Sequence, residues 1–376
     1  MKITKFYLRN FRNIKEQEFV FDENMNIFCG NNAQGKTNLC EAISLCMGPS
    51  FRGSRPGAFV PFNDDKPDIK IKMWFTTNYN TESENLIEYT FSNNKKELLY
   101  NGFPLKSAME LYGVLKYVVF IPEHLNLIKG KPDLRRDYLD SVAMMQTPVH
   151  LKKLSRYNKA LKNKNNILYD ITPYTDLSLI RPQLDSWNEV LAGEGLNVTY
   201  GRLKYFSQLE VIAAELYEGL SGGEKLGLKY YSSIFDRDDL KPEEINGLYD
   251  AYLKRLTDSF NSELKHKYTT LGVHHDDMIF TINGNNAREY ASQGQKRSTA
   301  LVLKLAEAEI IRSKSETPIM ILDDVLSELD EKRKDFILNH IVNSQVFITC
   351  CNISDVQKLG KGKIWNVENG KFEEIN

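Results

Sequence analysis

Gly30-Asn31-Asn32-Ala33-Gln34-Gly35-Lys36-Thr37 fits the pattern G-x-x-x-x-G-K-[S/T] at every fixed position. The apolar run Met25–Cys29 precedes it and a helical stretch at 38–47 follows, so the loop joins a strand to a helix. Glycines let such a loop wrap closely around phosphates, with its N–H groups converging at a helix N-terminus. Lys36 supplies a point charge for the β- and γ-phosphates, and the Thr37 hydroxyl is a Mg²⁺ ligand. The pattern therefore predicts nucleotide binding by Gly30, Asn31, Asn32, Ala33, Gln34, Gly35, Lys36 and Thr37.

Pro318-Ile319-Met320-Ile321-Leu322-Asp323-Asp324 is the matching acidic strand end. Four consecutive apolar residues read as a buried parallel strand, and ligands of such sheets gather at the carboxyl ends of the strands. Asp323 is placed to hold Mg²⁺, directly or through water. Asp324 is placed to orient or deprotonate an attacking water, or to cap a following helix. The long separation of Lys36 from Asp323 implies a large insertion within the nucleotide fold.

The periodicity agrees. Up to about residue 125 the chain reads as strands with one early helix, and Asn101-Gly102 marks a hairpin turn. From 126 to 268 apolar residues recur at helical spacing, with Pro173 and Pro182 expected to divide the region into several helices. Strand character returns at Met278, Phe280 and Ile282, before a long helix at 296–312 and a strand at 346–349. The fold class expected is α/β: a head built from 1–125 and 269–376, with a mainly helical second lobe, 126–268, inserted. His274 and His275, beside Asp276 and Asp277, suggest a metal site by letters. Neighbours in a strand would point to opposite faces, which argues against one.

Composition narrows the function classes. The 49 Lys+Arg against 50 Asp+Glu leave a net charge of −1, so any nucleic-acid contact must come from a local patch. With 41% hydrophobic residues and abundant aromatics, a disordered chain is excluded. No run reaches the length of a membrane span, and the N-terminus has no apolar signal core. Five cysteines without paired spacing read as reduced thiols, and the expected location is cytoplasmic.

Two segments compete as a glycine-containing signature that completes a neighbour's nucleotide site. Leu220-Ser221-Gly222-Gly223-Glu224 is closer by letters to the transporter-type loop. Ala291-Ser292-Gln293-Gly294-Gln295-Lys296 is closer by context, because it opens a long helix leading to the acidic strand. The second is preferred; the first reads as a turn between a helix and a strand.

Together these residues resemble the RecF family, bacterial recombination-mediator ATPases related to SMC proteins and ABC-type ATPase heads. The resemblance rests on Leu8-Arg9-Asn10-Phe11-Arg12-Asn13, the loop with Asn38, Ser50-Phe51-Arg52, and Phe120-Ile121-Pro122-Glu123. It continues through Arg135-Arg136-Asp137-Tyr138-Leu139-Asp140 and Ser292-Gln293-Gly294-Gln295-Lys296-Arg297 to the run from Leu322 to Asp330. It implies an ABC/SMC-type P-loop head in which Ser292, Gly294, Gln295 and Lys296 act in trans, so that two subunits sandwich two ATP molecules. Ser327 and Asp330 would belong to the D-loop, and Arg12 and Asn38 would lie beside the nucleotide.

The resemblance further implies a weak, Mg²⁺-dependent ATPase that forms an ATP-dependent homodimer and binds gapped or junction DNA. Its partners would be RecR- and RecO-type proteins in loading the RecA recombinase, with no membrane involved. An Asp at 324, where fast ABC ATPases carry Glu, suggests slow hydrolysis. His124, Val273 and His275 depart from the family's usual residues, while Glu123 stays a candidate for sensing Mg²⁺. No switch histidine follows Thr349, against the alternative of a transporter subunit; an ATP-binding scaffold is a further alternative. Lys152, Lys153, Arg156, Lys159, Lys162 and Lys164 form a run without acids, suited to phosphate contacts on DNA, and of these Lys152, Lys153, Arg156 and Lys159 are the chosen DNA-binding residues.

Overall fold

The computed structural model describes residues 1–53, 56–61, 68–77, 80–314, 316–352 and 362–375. The amino-terminal strands are β1 (Lys2–Phe11), β2 (Ile14–Val20) and β3 (Met25–Cys29), followed by helix α1 (Lys36–Leu45). Next come β4 (Asp68–Thr77), β5 (Asn80–Ser92), β6 (Lys95–Tyr100), β7 (Phe103–Pro104) and β8 (Tyr117–Phe120). The middle of the chain holds α2 (Asn126–Lys129), α3 (Pro132–Gln146), α4 (Val149–Asp170), α5 (Leu177–Ser221), β9 (Leu226–Tyr231), α6 (Tyr249–Asp258) and α7 (Phe260–His266). Then follow β10 (Asp277–Ile282), β11 (Asn285–Asn286), α8 (Ala287–Tyr290) and α9 (Gln293–Arg312). The carboxy-terminal part adds β12 (Ile319–Asp323), α10 (Glu331–Ile341), β13 (Val346–Cys350), β14 (Lys363–Glu368) and β15 (Lys371–Ile375).

The chain divides into two compact units, 1–124 with 301–376, and 125–300. The second boundary falls inside α9, beyond the return at 269 that the sequence suggested, so Ser292–Lys296 belongs with the middle unit.

The first unit carries two six-stranded sheets, ordered β2-β1-β4-β5-β6-β7 and β15-β14-β3-β13-β12-β8. In the second sheet β14, β3, β13, β12 and β8 are parallel and β15 is an antiparallel edge. Strands β8, β12 and β13 are buried at every residue, as continuous apolar runs require. The first sheet alternates: Ile69, Ile71, Met73 and Phe75 of β4 turn inward between more exposed neighbours. Between the sheets lies an aromatic core. Phe6 and Phe19 meet Phe21, which packs edge-on to Phe347 with ring centres 4.8 Å apart, and Phe19 packs edge-on to Trp365 and Phe372. Cys29, Cys40, Cys46 and Cys350 are buried thiols, and Cys351 is half-buried.

The middle unit is helical around the small antiparallel sheet β11-β10-β9. Three expectations change here. Pro182 does not break the chain; it sits inside the 45-residue α5, about 67 Å long at 1.5 Å per residue. The carbonyl it leaves unbonded is that of exposed Ser178, where water can satisfy it. His274 and His275 are not in a strand but in a single 3₁₀ turn, with ring centres 4.2 Å apart. Both rings lie within hydrogen-bond reach of the Thr269 carbonyl oxygen, and burial pushes the His274 pKa down to about 3, so that ring is neutral.

Lys164 is the third. It is buried, not part of a solvated basic face, and donates to Glu263 at 2.7 Å. Burial lowers its pKa and Glu263 opposes that shift. The ion pair ties α4 to α7. Lys164→Ala should strand a buried carboxylate and cost about 3–5 kcal/mol in urea unfolding, whereas Lys164→Met with Glu263→Leu should stay near wild type.

Candidate functional site

In the first unit, β3 delivers the chain into the loop at Gly30, where a Cβ would lie 2.2 Å from the Val367 carbonyl oxygen. Ala33 (φ 64°) and Gly35 (φ 118°) then turn the backbone in the left-handed region, and α1 begins at Lys36. This brings a curl of backbone N–H groups to a helix N-terminus, an environment that favours an anion. The Lys36 ammonium donates to the carbonyls of Gly30 (2.6 Å) and Asn31 (2.8 Å), which hold it across the loop.

The acidic strand end closes the other side. Thr37 Oγ1 donates to Asp323 Oδ1 at 2.9 Å, and Thr349 Oγ1 donates to the same oxygen at 2.8 Å. The Asp324 N–H donates to Thr349 Oγ1 at 2.9 Å, so three strand-end residues form one chain of hydrogen bonds. Burial raises the Asp323 pKa, and the two hydroxyls oppose the rise. Hydroxyl and carboxylate oxygens are hard donors, the set that Mg²⁺ takes. Asp324 has φ 54°, which Asp tolerates, and its Oδ1 accepts the Ser327 hydroxyl at 2.9 Å. Asp324 is not the cap of the next long helix. Asp330 is, accepting the Arg333 N–H at 2.9 Å.

Several partners were not legible in the sequence. Thr349 is one. Glu41 is another: it is buried in α1 and pairs with Arg12 at 2.6 Å, while the Arg12 guanidinium lies over the Phe59 ring. Arg12 then lines, with Arg9, Asn13, Ala33 and Asn38, a cleft of about 690 Å³ beside the loop. A third is the β14–β15 hairpin. The Asn369 N–H donates to Gln34 Oε1 at 2.6 Å and the Gly370 N–H to the Gln34 carbonyl at 2.9 Å. Asn13 Nδ2 donates to that same carbonyl, and Asn38 Nδ2 donates to Asn13 Oδ1 at 2.8 Å. Asn32 Oδ1 accepts the Cys351 thiol at 3.0 Å. Gln34, Asn38 and Asn32 thus spend side-chain polar atoms on the loop's own shape. Glu123 is exposed. His124 Nδ1 accepts the Ile121 N–H at 3.2 Å, and its pKa is held well below the usual range by burial and then by Lys304.

In the middle unit, Ser292 Oγ accepts the Gln295 N–H at 3.2 Å while Gln295 Oε1 accepts the Ser292 N–H at 2.8 Å. That reciprocal pair is a capping box at the start of α9. Gly294, Gln295 and Lys296 occupy its first turn, half-buried. The competing Leu220–Glu224 segment closes α5 instead: Gly222 (φ 83°) caps it, its N–H bonded to the Glu218 carbonyl. On α4, Lys152, Arg156, Lys159 and Lys162 are exposed and Lys153 is half-buried. Arg156 reaches Glu194 at 3.4 Å, an acid on α5 that the local charge run does not show.

Among the described residues no helix is long and apolar enough to cross a membrane. The family model described as RecF/RecN/SMC N terminal domain matches residues 2–369. A DNA replication and repair protein RecF of Agathobacter rectalis is 35% identical, covering 100% of both chains. Another, of Lachnospira eligens, is 34% identical over 98% of each. The solved structure described as the recombination mediator protein RecF-ATP in the RecFOR pathway matches with TM-score 0.90 and 34% identity, covering 100% of this chain and 98% of that one. An SMC head bound to a winged-helix domain of ScpA matches at TM-score 0.58 and 16% identity, a likeness of fold.

The hairpin contact is open to test. Gly370 has φ 77°, and a Cβ there would lie 2.1 Å from the Asn13 carbonyl oxygen. Gly370→Ala should push Asn369 and Gly370 off Gln34 and lower affinity for a labelled nucleotide about tenfold in equilibrium dialysis. Gly102→Ala is the control: its φ is 82° and a Cβ there would have open space. It carries similar backbone strain and should leave nucleotide affinity unchanged.

Proposed function

The chain belongs to the RecF/RecN/SMC N-terminal-domain family, on its RecF branch, and from that premise we propose an ATP-gated DNA-binding protein of recombinational repair and replication-gap processing. The observation that carries the reading is the Thr37–Asp323–Thr349 hydrogen-bond chain beside the phosphate loop. It gathers anion-binding backbone, a lysine and hard oxygen donors at one spot.

In this reading the loop's N–H groups take the β- and γ-phosphates of ATP. Lys36 exchanges the carbonyls of Gly30 and Asn31 for phosphate oxygens. Thr37 and Asp323 would hold Mg²⁺, which supplies charge neutralisation between the β- and γ-phosphates. Arg12, fixed by Glu41 and Phe59, borders the cleft that would receive the rest of the nucleotide. Asp324 orients the attacking water, and Ser327 steadies its carboxylate.

Ser292, Gly294, Gln295 and Lys296 of a second copy would then meet the γ-phosphate, so ATP joins two chains. Slow hydrolysis at Asp324 would release them. Contact with DNA falls to the exposed cations of α4: Lys152, Arg156 and Lys159, with Lys153 beside them. They would meet backbone phosphates and read little sequence. Joint action with RecO- and RecR-type proteins in loading RecA is proposed from the RecF relatives.

Fluorescence anisotropy of a gapped duplex tests the gating. ATP with Mg²⁺ should tighten binding, with a dependence on protein concentration above first order. Equal binding without ATP would sink the gating. Lys152→Glu with Arg156→Glu should weaken binding and flatten its salt dependence. Asp324→Asn should trap an ATP-bound dimer in size-exclusion chromatography; unchanged turnover in that variant would remove Asp324 from the mechanism.

A further inference from the structure

The two segments that compete as signatures meet in space. Gln295 Nε2 donates to Glu224 Oε1 at 2.7 Å, and the Tyr217 hydroxyl donates to Glu224 Oε2 at 3.1 Å. Glu224 is itself fixed from below, since its N–H donates to Ser221 Oγ at 3.0 Å within the turn that closes α5. The next residue is tied as well: the Lys225 N–H donates to Asn283 Oδ1 at 2.9 Å, and the Asn283 N–H donates to the Lys225 carbonyl at 2.8 Å. The end of α5, the start of β9 and the β10–β11 turn therefore form one corner, and Glu224 projects from it onto the first turn of α9.

We propose that Glu224 is a positioning residue for the in-trans signature, holding the Gln295 amide so that the Ser292 hydroxyl and the first N–H groups of α9 face the partner's γ-phosphate. This rests on the reading of Ser292–Lys296 given above. The argument is one of hydrogen-bond supply. A primary amide has two donors and one acceptor oxygen. Gln295 spends its oxygen on the Ser292 N–H, and Glu224 Oε1 accepts a hydrogen bond from its Nε2, which fixes both the amide's flip and its plane. The Ser292 hydroxyl receives the Gln295 N–H through an oxygen lone pair, a bond that does not use the O–H proton. That proton is what a phosphate oxygen would accept. Without Glu224 the amide can rotate, the capping box loosens, and the hydroxyl loses its fixed direction. The serine-glycine letters of Leu220–Glu224 then have a local purpose: they turn the chain so that the glutamate arrives at α9.

The test compares full-length Glu224→Ala, Glu224→Gln and Ser292→Arg by ATP-dependent dimerisation in analytical ultracentrifugation, alongside ATP affinity at dilute protein. Glu224→Ala should weaken ATP-dependent dimerisation at least about tenfold while ATP affinity of the dilute monomer, set by its own loop, holds. Glu224→Gln should restore dimerisation, because its amide oxygen accepts from Gln295 and its NH₂ can donate to the Tyr217 oxygen. A merely structural glutamate would not give that split. Wild-type dimerisation in Glu224→Ala, with Ser292→Arg blocked, overturns the role of Glu224 alone. Equal loss in Glu224→Gln and Glu224→Ala also overturns it. Normal dimerisation in Ser292→Arg overturns the signature reading itself, and this proposal with it.

Discussion

The strand ends beside the phosphate loop are tied together at one carboxylate oxygen. Asp323 Oδ1 accepts from Thr37 and Thr349, residues delivered by α1 and β13, while its own strand is β12. The bond between Thr37 and Asp323 spans 286 positions of sequence. It is possible because β3, β13 and β12 are neighbours in a parallel sheet. Parallel neighbours need long crossovers, and a crossover can hold a whole second unit at small extra cost in loop closure. The insertion of 125–300 is therefore compatible with an intact site. What the site cannot tolerate is loss of register between β12 and β13, which pairs Asp323 with Thr349.

The parts that could be read from the sequence are those fixed by local rules. The loop pattern, the apolar run of β12 ending in two aspartates, the Asn101-Gly102 turn and the helix start at Ser292 each sit within a few residues. Their physics is that of one turn or one strand end. Thr349 is not legible in the sequence because a threonine at the end of an apolar strand looks like ordinary β-propensity; only the sheet order gives it a carboxylate to bond. Asn369-Gly370 reads as one more hairpin until β14 is seen to pair with β3 beside the loop. Lys164 belongs to a basic run by letters, yet it faces α7 and a buried acid. Pro182 shows the reverse error, since a rule about helix interiors weakens at an exposed turn near the helix start.

Charge tells the same story at larger scale. A net charge of −1 offers no field to draw in a polyanion, so in the proposed DNA contact the exposed cations of α4 would have to work locally. Their salt sensitivity depends on how few acids lie near them. Glu194 beside Arg156 is one such acid, and Lys164 is withdrawn altogether. The proposed patch is thus smaller than the run of letters: Lys152, Arg156 and Lys159, with the half-buried Lys153 beside them.

The polar side chains of the two loops follow a common logic. Gln34 in the phosphate loop takes the Asn369 N–H, and Gln295 at the start of α9 takes the Ser292 N–H. Neither glutamine oxygen is aimed at a ligand. Each fixes a short backbone arc whose N–H groups, in the proposed sites, would do the ligand-facing work, which is economical for phosphate. An anion is held well by several fixed N–H dipoles and poorly by one flexible amide, whose oxygen would repel it. In the proposed sites, side chains would serve where a proton donor or a full charge is required: Lys36, Thr37 and the Ser292 hydroxyl. On this view the variable letters inside each glycine-containing motif are not filler. They hold the motif to the protein around it, through Asn369 in one case and Glu224 in the other. The identity of those outer residues, more than of the motif itself, decides how firmly each loop is held in a shape that can take a phosphate.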